Sequence, residues 1–158
     1  EYAALFPERV RKLTLIDPMG LWRDDAPVTD FIYVTPERQL ELLLGVSDGE
    51  LQRTLMALPD DPRARKRELV RRITSMASML HFIWPIPERG LAKRLYRIAA
   101  PTRLIWGEND RVVPATYAGD FSSAIPGSTI VIIGGASHTP HFNRPAEVLD
   151  AVRRFLES

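Results

Sequence analysis

Short apolar runs rich in strand-forming residues recur along the chain and alternate with stretches of helical periodicity. The apolar runs lie at 12–16, 102–106 and 128–133, and turn-forming residues follow each of them. Apolar residues three or four positions apart predict one helix over 114–125 and another over 145–156. Strands that alternate with helices are typical of parallel sheets. The pattern therefore predicts an α/β fold with a doubly wound, mostly parallel sheet.

The middle of the chain, residues 19–100, interrupts this alternation and is mostly helical in pattern. Thr35 and Pro36 are typical of a helix start, and Gly45 is typical of its end. Residues 47–50, S-D-G-E, predict a capping box for a second helix that ends near residue 58. Pro62 opens a third helix, whose apolar stripe consists of Leu69, Ile73, Met76, Leu80 and Ile83. We expect a helical lid over 19–100, inserted between core-sheet segments at 1–18 and 101–158.

Composition narrows the class of protein further. The 158 residues are 45% hydrophobic and 26% charged, with a net charge of +1, which is usual for a soluble globular protein and gives no general attraction to nucleic acid or membranes. The chain has no cysteine, which excludes disulfides and thiolate catalysis within it and fits a cytoplasmic location. No apolar run reaches the roughly 18–20 residues of a membrane-spanning helix. We expect a small-molecule substrate and no nucleic-acid or membrane partner, and we leave the oligomeric state open.

The candidate chemistry lies just beyond two of the predicted strands. Asp110 follows one strand and His138 the next, 28 positions apart in the chain. If the strands are parallel, both loops lie at the same edge of the sheet, where ligands bind in α/β proteins. Each residue alone is more typical of an ordinary turn or loop. Together, an Asp that orients a His is the supporting half of a nucleophilic hydrolase site.

The residues around this pair resemble a known family. G-E-N-D-R-V-V-P over 107–114 and G-A-S-H-T-P-H-F-N-R-P-A-E-V over 135–148 resemble the acid loop and the histidine loop of the α/β-hydrolase fold. The resemblance implies Asp110 as the acid and His138 as the base of a catalytic triad. Asp17 ends the similar stretch P-E-R-V-R-K-L-T-L-I-D and is the alternative acid, although an Asp-Pro turn is the simpler interpretation. The family usually has Gly at position 137 and often an acidic residue at 143, where this chain has Ser137 and Asn143.

The resemblance also predicts what is missing. In the family the nucleophile precedes the acid on a strand-to-helix elbow, often G-x-S-x-G, and we identify no G-x-S-x-G anywhere in this chain. The chain opens at Glu1, inside a predicted helix. We therefore expect the C-terminal portion of a longer hydrolase, which alone cannot complete the reaction.

The function implied is hydrolysis of a small, largely apolar ester or related acyl substrate. Cleavage of a carbon–carbon bond in a diketone-type substrate is the next alternative. No cofactor or metal is expected. An Asp nucleophile would instead indicate an epoxide or haloalkane hydrolase, and the same fold also serves as a non-catalytic ligand receptor or scaffold. A nucleotide-binding domain is disfavoured. It requires a glycine-rich fingerprint between a strand and a helix, and Gly134–Gly135 is shorter than that fingerprint.

Other side chains near the predicted site have simpler interpretations. Thr139 and Pro140 argue against a helix that would present His138 and His141 together, so a zinc site is not favoured. His81 is expected to pack within the lid. Val112 and Thr139 are expected to line the substrate site. Soft or aromatic lid residues are expected to pack on the core, with one or two touching the substrate: Met76, Met79, Phe82, Trp84 and Ile86.

Overall fold

Three parallel strands form the centre of the protein. The computed structural model describes residues 1–45, 49–83 and 89–158. Strand β1 is Leu13–Ile16, β2 is Thr102–Gly107 and β3 is Thr129–Ile133, in the order β1-β2-β3. Both pairings are parallel, so the carboxyl ends of all three strands meet at one edge. The predicted α/β fold and its parallel sheet are confirmed, and each strand lies within one residue of its predicted bounds.

Helices connect and cover the strands. They are α1 Tyr2–Leu5, α2 Pro36–Leu44, α3 Glu50–Met56, α4 Pro62–Ile83, α5 Tyr117–Ala124, α6 Pro140–Asn143 and α7 Pro145–Glu157. Single 3-10 turns occupy Pro7–Arg9 and Leu95–Arg97. Helix α2 starts and ends as predicted: the Thr35 hydroxyl accepts from the Arg38 N–H at 3.3 Å, and Gly45 takes a left-handed φ of 72°. Within the described ranges, no helix combines the length and apolar character that crossing a bilayer requires.

Strand β2 is buried on both faces and divides the core in two. Leu104 and Trp106 point to one side, into a cluster with Phe121 of α5. Ile105 points to the other side, against Val148 of α7. This alternation is the period of a strand, and packing on both faces explains why Leu104, Ile105 and Trp106 form an unbroken apolar run.

The segment 19–100 packs onto the same core as the sheet. Leu21, Phe31, Leu42 and Leu95 belong to the cluster that contains Leu104. Its division from the sheet as a separate lid stays a prediction. The predicted capping box includes Ser47 and Asp48, which lie outside the described residues.

The predicted stripe of α4 faces solvent over much of its length. No residue of α4 is buried, and Ile73 is 69% exposed. Of the five residues in the stripe, Met76, Leu80 and Ile83 are half-buried, and Leu69 and Ile73 are exposed. Periodicity identified the helix correctly, but it does not specify what a stripe packs against.

Candidate active site

The loops after β2 and β3 are joined backbone to backbone. Beyond Gly107, the Glu108 N–H donates to the Ile133 carbonyl at 3.1 Å and the Asn109 N–H donates to the Ala136 carbonyl at 2.8 Å. The Glu108 carboxylate also accepts from the Gly135 N–H at 2.9 Å. These bonds set the register between the loop that carries Asp110 and the loop that carries His138.

Gly107 allows this close approach because it lacks a side chain. A Cβ atom at position 107 would lie 2.1 Å from the Ser137 carbonyl oxygen and 2.8 Å from that of Ala136. Both are backbone atoms, which cannot swing away as a flexible side chain can. The end of β2 therefore requires glycine if the two loops are to stay in contact.

Asp110 and His138 are in direct contact. Asp110 Oδ2 lies 2.8 Å from His138 Nδ1, with the Asp110 side chain fully buried and that of His138 12% exposed. Asp110 Oδ1 accepts from the N–H groups of Val112 and Val113, at 2.8 and 2.9 Å. An ionised carboxylate only accepts hydrogen bonds, so Nδ1 donates to it, and in the neutral ring Nε2 is then free of a proton. This arrangement can take a proton from a substrate-side group and stabilise the resulting imidazolium.

Asp17 lies beside this pair but plays a different part. Its Oδ1 accepts from the Gly107 N–H at 2.8 Å, and its Oδ2 is buried with no hydrogen-bond partner among the described residues. Burial raises the pKa of Asp17 to about 8; the Gly107 bond opposes the rise, and the neighbouring Asp110 carboxylate adds to it. Burial therefore favours the neutral form of Asp17 over its carboxylate. Of the two carboxyl groups, the one bonded to His138 is Asp110.

Helix α2 reaches the histidine loop through its last carbonyl groups. The Leu43 carbonyl oxygen accepts from Ser137 Oγ at 2.9 Å, from Thr139 Oγ1 at 2.7 Å and from the Thr139 N–H at 3.0 Å. Asn143 Nδ2 donates to the Leu44 carbonyl at 2.9 Å and to Ser137 Oγ at 2.7 Å. The sequence marked Ser137 and Asn143 only as departures from the family pattern. Their partners lie more than 90 positions away along the chain or require the folded loop.

Several expectations about neighbouring residues were wrong or fall outside the described residues. Val112 is fully buried in the core, so it does not line an open site. Thr139 is half-buried with its hydroxyl bonded to Leu43, and its place in the substrate site stays a prediction. Pro140 starts the short helix α6 instead of preventing one, because proline suits the first helical position.

The other side chains predicted near the site are exposed, packed in the core, or outside the described residues. His141 is exposed, with its ring 4.7 Å from that of Phe142. His81 is exposed rather than packed within the lid, and Phe82 is 83% exposed, while Met79 packs against the main core cluster. Trp84 and Ile86 lie outside the described residues. Across the described ranges, no three His, Asp or Glu side chains gather closely enough to hold a metal ion.

One motif was overlooked in the sequence. Residues 45–49 read G-V-S-D-G, which fits the letters of G-x-S-x-G. Gly45 ends helix α2 and Gly49 is the N-cap of α3, so the motif joins two helices. A nucleophile elbow instead follows a strand. Ser47 itself lies outside the described residues.

Comparison with known families agrees with this geometry. A profile described as the Alpha/beta hydrolase family matches residues 2–151. The chain belongs to the alpha/beta hydrolase family. In this family the acid and the histidine follow the nucleophile along the chain, and Asp110 and His138 occur in that order.

Individual relatives place the chain among hydrolases. The Rattus norvegicus monoacylglycerol lipase ABHD6 is 23% identical over 185 aligned residues, which cover 99% of this chain and 50% of the lipase. The Mycobacterium tuberculosis epoxide hydrolase EphH is 27% identical over 165 residues, which cover 94% of this chain and 77% of that enzyme. A mutant of the meta-cleavage product hydrolase CumD has a TM-score of 0.70 at 19% identity, covering 98% of this chain and 59% of that one, and shows the shared fold. The chain spans about half the length of the curated lipases it matches.

Proposed function

We propose that the protein carrying this chain hydrolyses small, largely apolar acyl esters through a covalent intermediate. His138 acts as general base and then general acid, and Asp110 orients its imidazole. The observation that carries the proposal is the 2.8 Å contact between His138 Nδ1 and Asp110 Oδ2 at the carboxyl edge of a parallel sheet. Similarity to a monoacylglycerol lipase supports an ester as the substrate class.

The mechanism follows from the protonation state of the imidazole. A hydroxyl nucleophile attacks the ester carbonyl carbon while His138 Nε2 takes its proton, and Asp110 stabilises the imidazolium. The imidazolium then gives that proton to the departing alcohol, which leaves an acyl-enzyme. In the second half, His138 takes a proton from the attacking water and returns it to the nucleophile as the acid departs. We propose that the nucleophile belongs to the part of the relatives' length that this chain does not cover.

A second candidate is epoxide hydrolysis. Its support is the similarity to EphH, which extends over 77% of that enzyme. An Asp nucleophile would open the epoxide and form an alkyl-ester intermediate, and His138 would activate the water that hydrolyses it. The Asp110–His138 pair has the same role in both schemes, so the nucleophile separates them.

The test is a set of paired substitutions in the whole protein, assayed with short-chain p-nitrophenyl esters and with an aryl epoxide. His138→Ala is expected to lower kcat by several orders of magnitude. His141→Ala, three positions further along in helix α6, is expected to leave it unchanged. Asp110→Asn is expected to lower kcat about 10⁴-fold by favouring the wrong tautomer, as the same change of the triad acid does in a serine protease. Asp17→Asn is expected to change kcat only slightly.

Several outcomes would overturn parts of this proposal. Wild-type turnover in His138→Ala would remove the histidine from the mechanism, and a damaging Asp17→Asn beside a mild Asp110→Asn would exchange the acids. Labelling by a fluorophosphonate, followed by peptide mapping, distinguishes a Ser nucleophile from an Asp nucleophile. Ser47→Ala is the control here: loss of labelling in that variant would place the nucleophile within this chain. Ligand binding without turnover of either substrate class would favour a receptor.

A further inference from the structure

We infer that Ser137, Thr139 and Asn143 are positioning residues that hold His138 in place by fastening its loop to the C-terminal end of helix α2. This inference rests on the proposed function for its kinetic consequence. Its structural content is independent of the reaction. It assigns a purpose to two positions, 137 and 143, at which the chain departs from the usual family pattern.

The end of α2 supplies acceptors that need partners. The last carbonyl groups of a helix have no partners within the helix. The Leu43 carbonyl obtains three donors from the histidine loop, at 2.7 to 3.0 Å, and the Leu44 carbonyl obtains the Asn143 amide at 2.9 Å. The histidine loop thus caps the helix, and the helix in turn fixes the loop.

The hydrogen bonds to the end of α2 come from the residues on both sides of His138. Ser137 and Thr139 are the immediate neighbours of His138, and both donate to the same carbonyl oxygen, that of Leu43. Two anchors on one acceptor restrict rotation of the backbone at residue 138. Since Asp110 holds Nδ1 from the other side, the imidazole is constrained by both its ring and its backbone.

Ser137 and Asn143 work as a pair. The Ser137 hydroxyl donates to Leu43 and accepts from Asn143, while the Asn143 amide also donates to Leu44. A hydroxyl and an amide have the donors this chain of bonds requires, whereas a glycine at 137 has no side chain and a carboxylate at 143 has no N–H. Ser137 is 2% exposed, so water competes poorly for these bonds.

Helix α2 also approaches the imidazole ring through Phe31. The Gln39 side chain of α2 donates to the Phe31 carbonyl at 3.0 Å, and the Phe31 ring centroid lies 6.4 Å from that of His138. Gly45 is packed so closely that a Cβ there would lie 2.9 Å from Ser137 Cβ. Because α2 falls in the segment predicted to be the lid, a shift of that segment would move the histidine with it.

The experiment compares Thr139→Val with Thr139→Ser in the whole protein. Valine has the shape of threonine without the hydroxyl, and serine keeps the hydroxyl. Losing one such bond is expected to lower kcat roughly three- to tenfold with KM changed less than twofold, and serine is expected to restore kcat. Ser137→Ala and Asn143→Asp should act in the same direction. The control is Thr35→Ala, which removes the cap at the opposite end of α2 and should leave kcat unchanged.

A second measurement does not depend on turnover. The proton between His138 Nδ1 and Asp110 gives a far-downfield ¹H NMR signal, which should broaden or exchange faster in Thr139→Val than in wild type, Thr139→Ser or Thr35→Ala. If the whole protein hydrolyses nothing, the proposed function fails and this signal still decides the positioning. Unchanged kcat and an unchanged signal in Thr139→Val and in Ser137→Ala would overturn the inference. So would an equal loss in Thr35→Ala, which would indicate general weakening of the helix.

Discussion

The Asp17→Asn variant should be more stable than wild type, and this difference in stability should grow as the pH rises. The Asp17 carboxyl is buried, and its pKa is raised from 3.8 to about 8, chiefly by that burial. An amide at this position is neutral at every pH. Its oxygen can accept from the Gly107 N–H as Asp17 Oδ1 does now. The backbone φ of 43° at Asp17 is also a conformation that asparagine tolerates.

The sign and size follow from proton binding in the two states. The unfolded chain loses the Asp17 proton near pH 3.8, while the folded protein keeps it until about pH 8. Between these values the folded state binds more protons, so the free energy of unfolding falls as the pH rises and then levels off. At 1.36 kcal/mol for each pH unit, the ceiling on this loss is about 6 kcal/mol. The Asp17→Asn variant should not show this loss of stability, and its free energy of unfolding should match that of wild type near pH 4.

The assay is denaturant unfolding of the whole protein and its Asp17→Asn variant from pH 4.5 to 8.5. Titrating groups that do not interact with Asp17 cancel in the difference between the two proteins. This difference should grow steadily in favour of the variant. Asp25→Asn is the control of opposite sign: hydrogen bonding to Arg23 lowers the pKa of that exposed carboxyl, so its removal should bring no gain at high pH. A difference between wild type and Asp17→Asn that stays flat from pH 5 to 8 would refute the reasoning.

Two further pairs of substitutions test the packing behind the site. Gly107→Ala should separate the two loops, because its Cβ would lie 2.1 Å from the Ser137 carbonyl, and lower both kcat and the unfolding midpoint. Gly119→Ala, whose Cβ would meet nothing within 4 Å, should instead raise stability by about 0.5–1 kcal/mol; equal effects of the two would contradict the close approach. Trp106→Phe should cost roughly 1–3 kcal/mol in denaturant unfolding by leaving the buried Val113 carbonyl without its 2.9 Å donor. Trp22→Phe should cost less, because the half-buried Trp22 donates to the exposed Asp24 carboxylate, which water can solvate instead.

Much of the framework was predictable because it depends on neighbours in the sequence. Strand β2 is an apolar run closed by Gly107, and helix α2 begins at Thr35 and Pro36 and ends at Gly45, as the local preferences of those residues require. Parallel strands then bring the loops after β2 and β3 to one edge. The prediction that Asp110 and His138 lie close together needed only this topology.

Other features required the folded chain. An aspartate before proline reads as an ordinary turn, and nothing in the letters at Asp17 shows that Gly107 and Asp110 surround its carboxyl group. Val112 reads as a wall residue and is buried in the core instead. The stripe of α4 was identified correctly by its spacing, but spacing cannot say which surface, if any, covers it.

The local pattern of residues thus determined the class of fold, the bounds of the strands and the order of the acid and the histidine along the chain. Only the tertiary structure decided which carboxyl group bonds the imidazole, which one has its pKa raised by burial, and how Ser137 and Asn143 are used. Local preferences act over a few residues and survive in any context. Burial and the bonds between Ser137 and Leu43, 94 positions apart, exist only when the whole chain has packed.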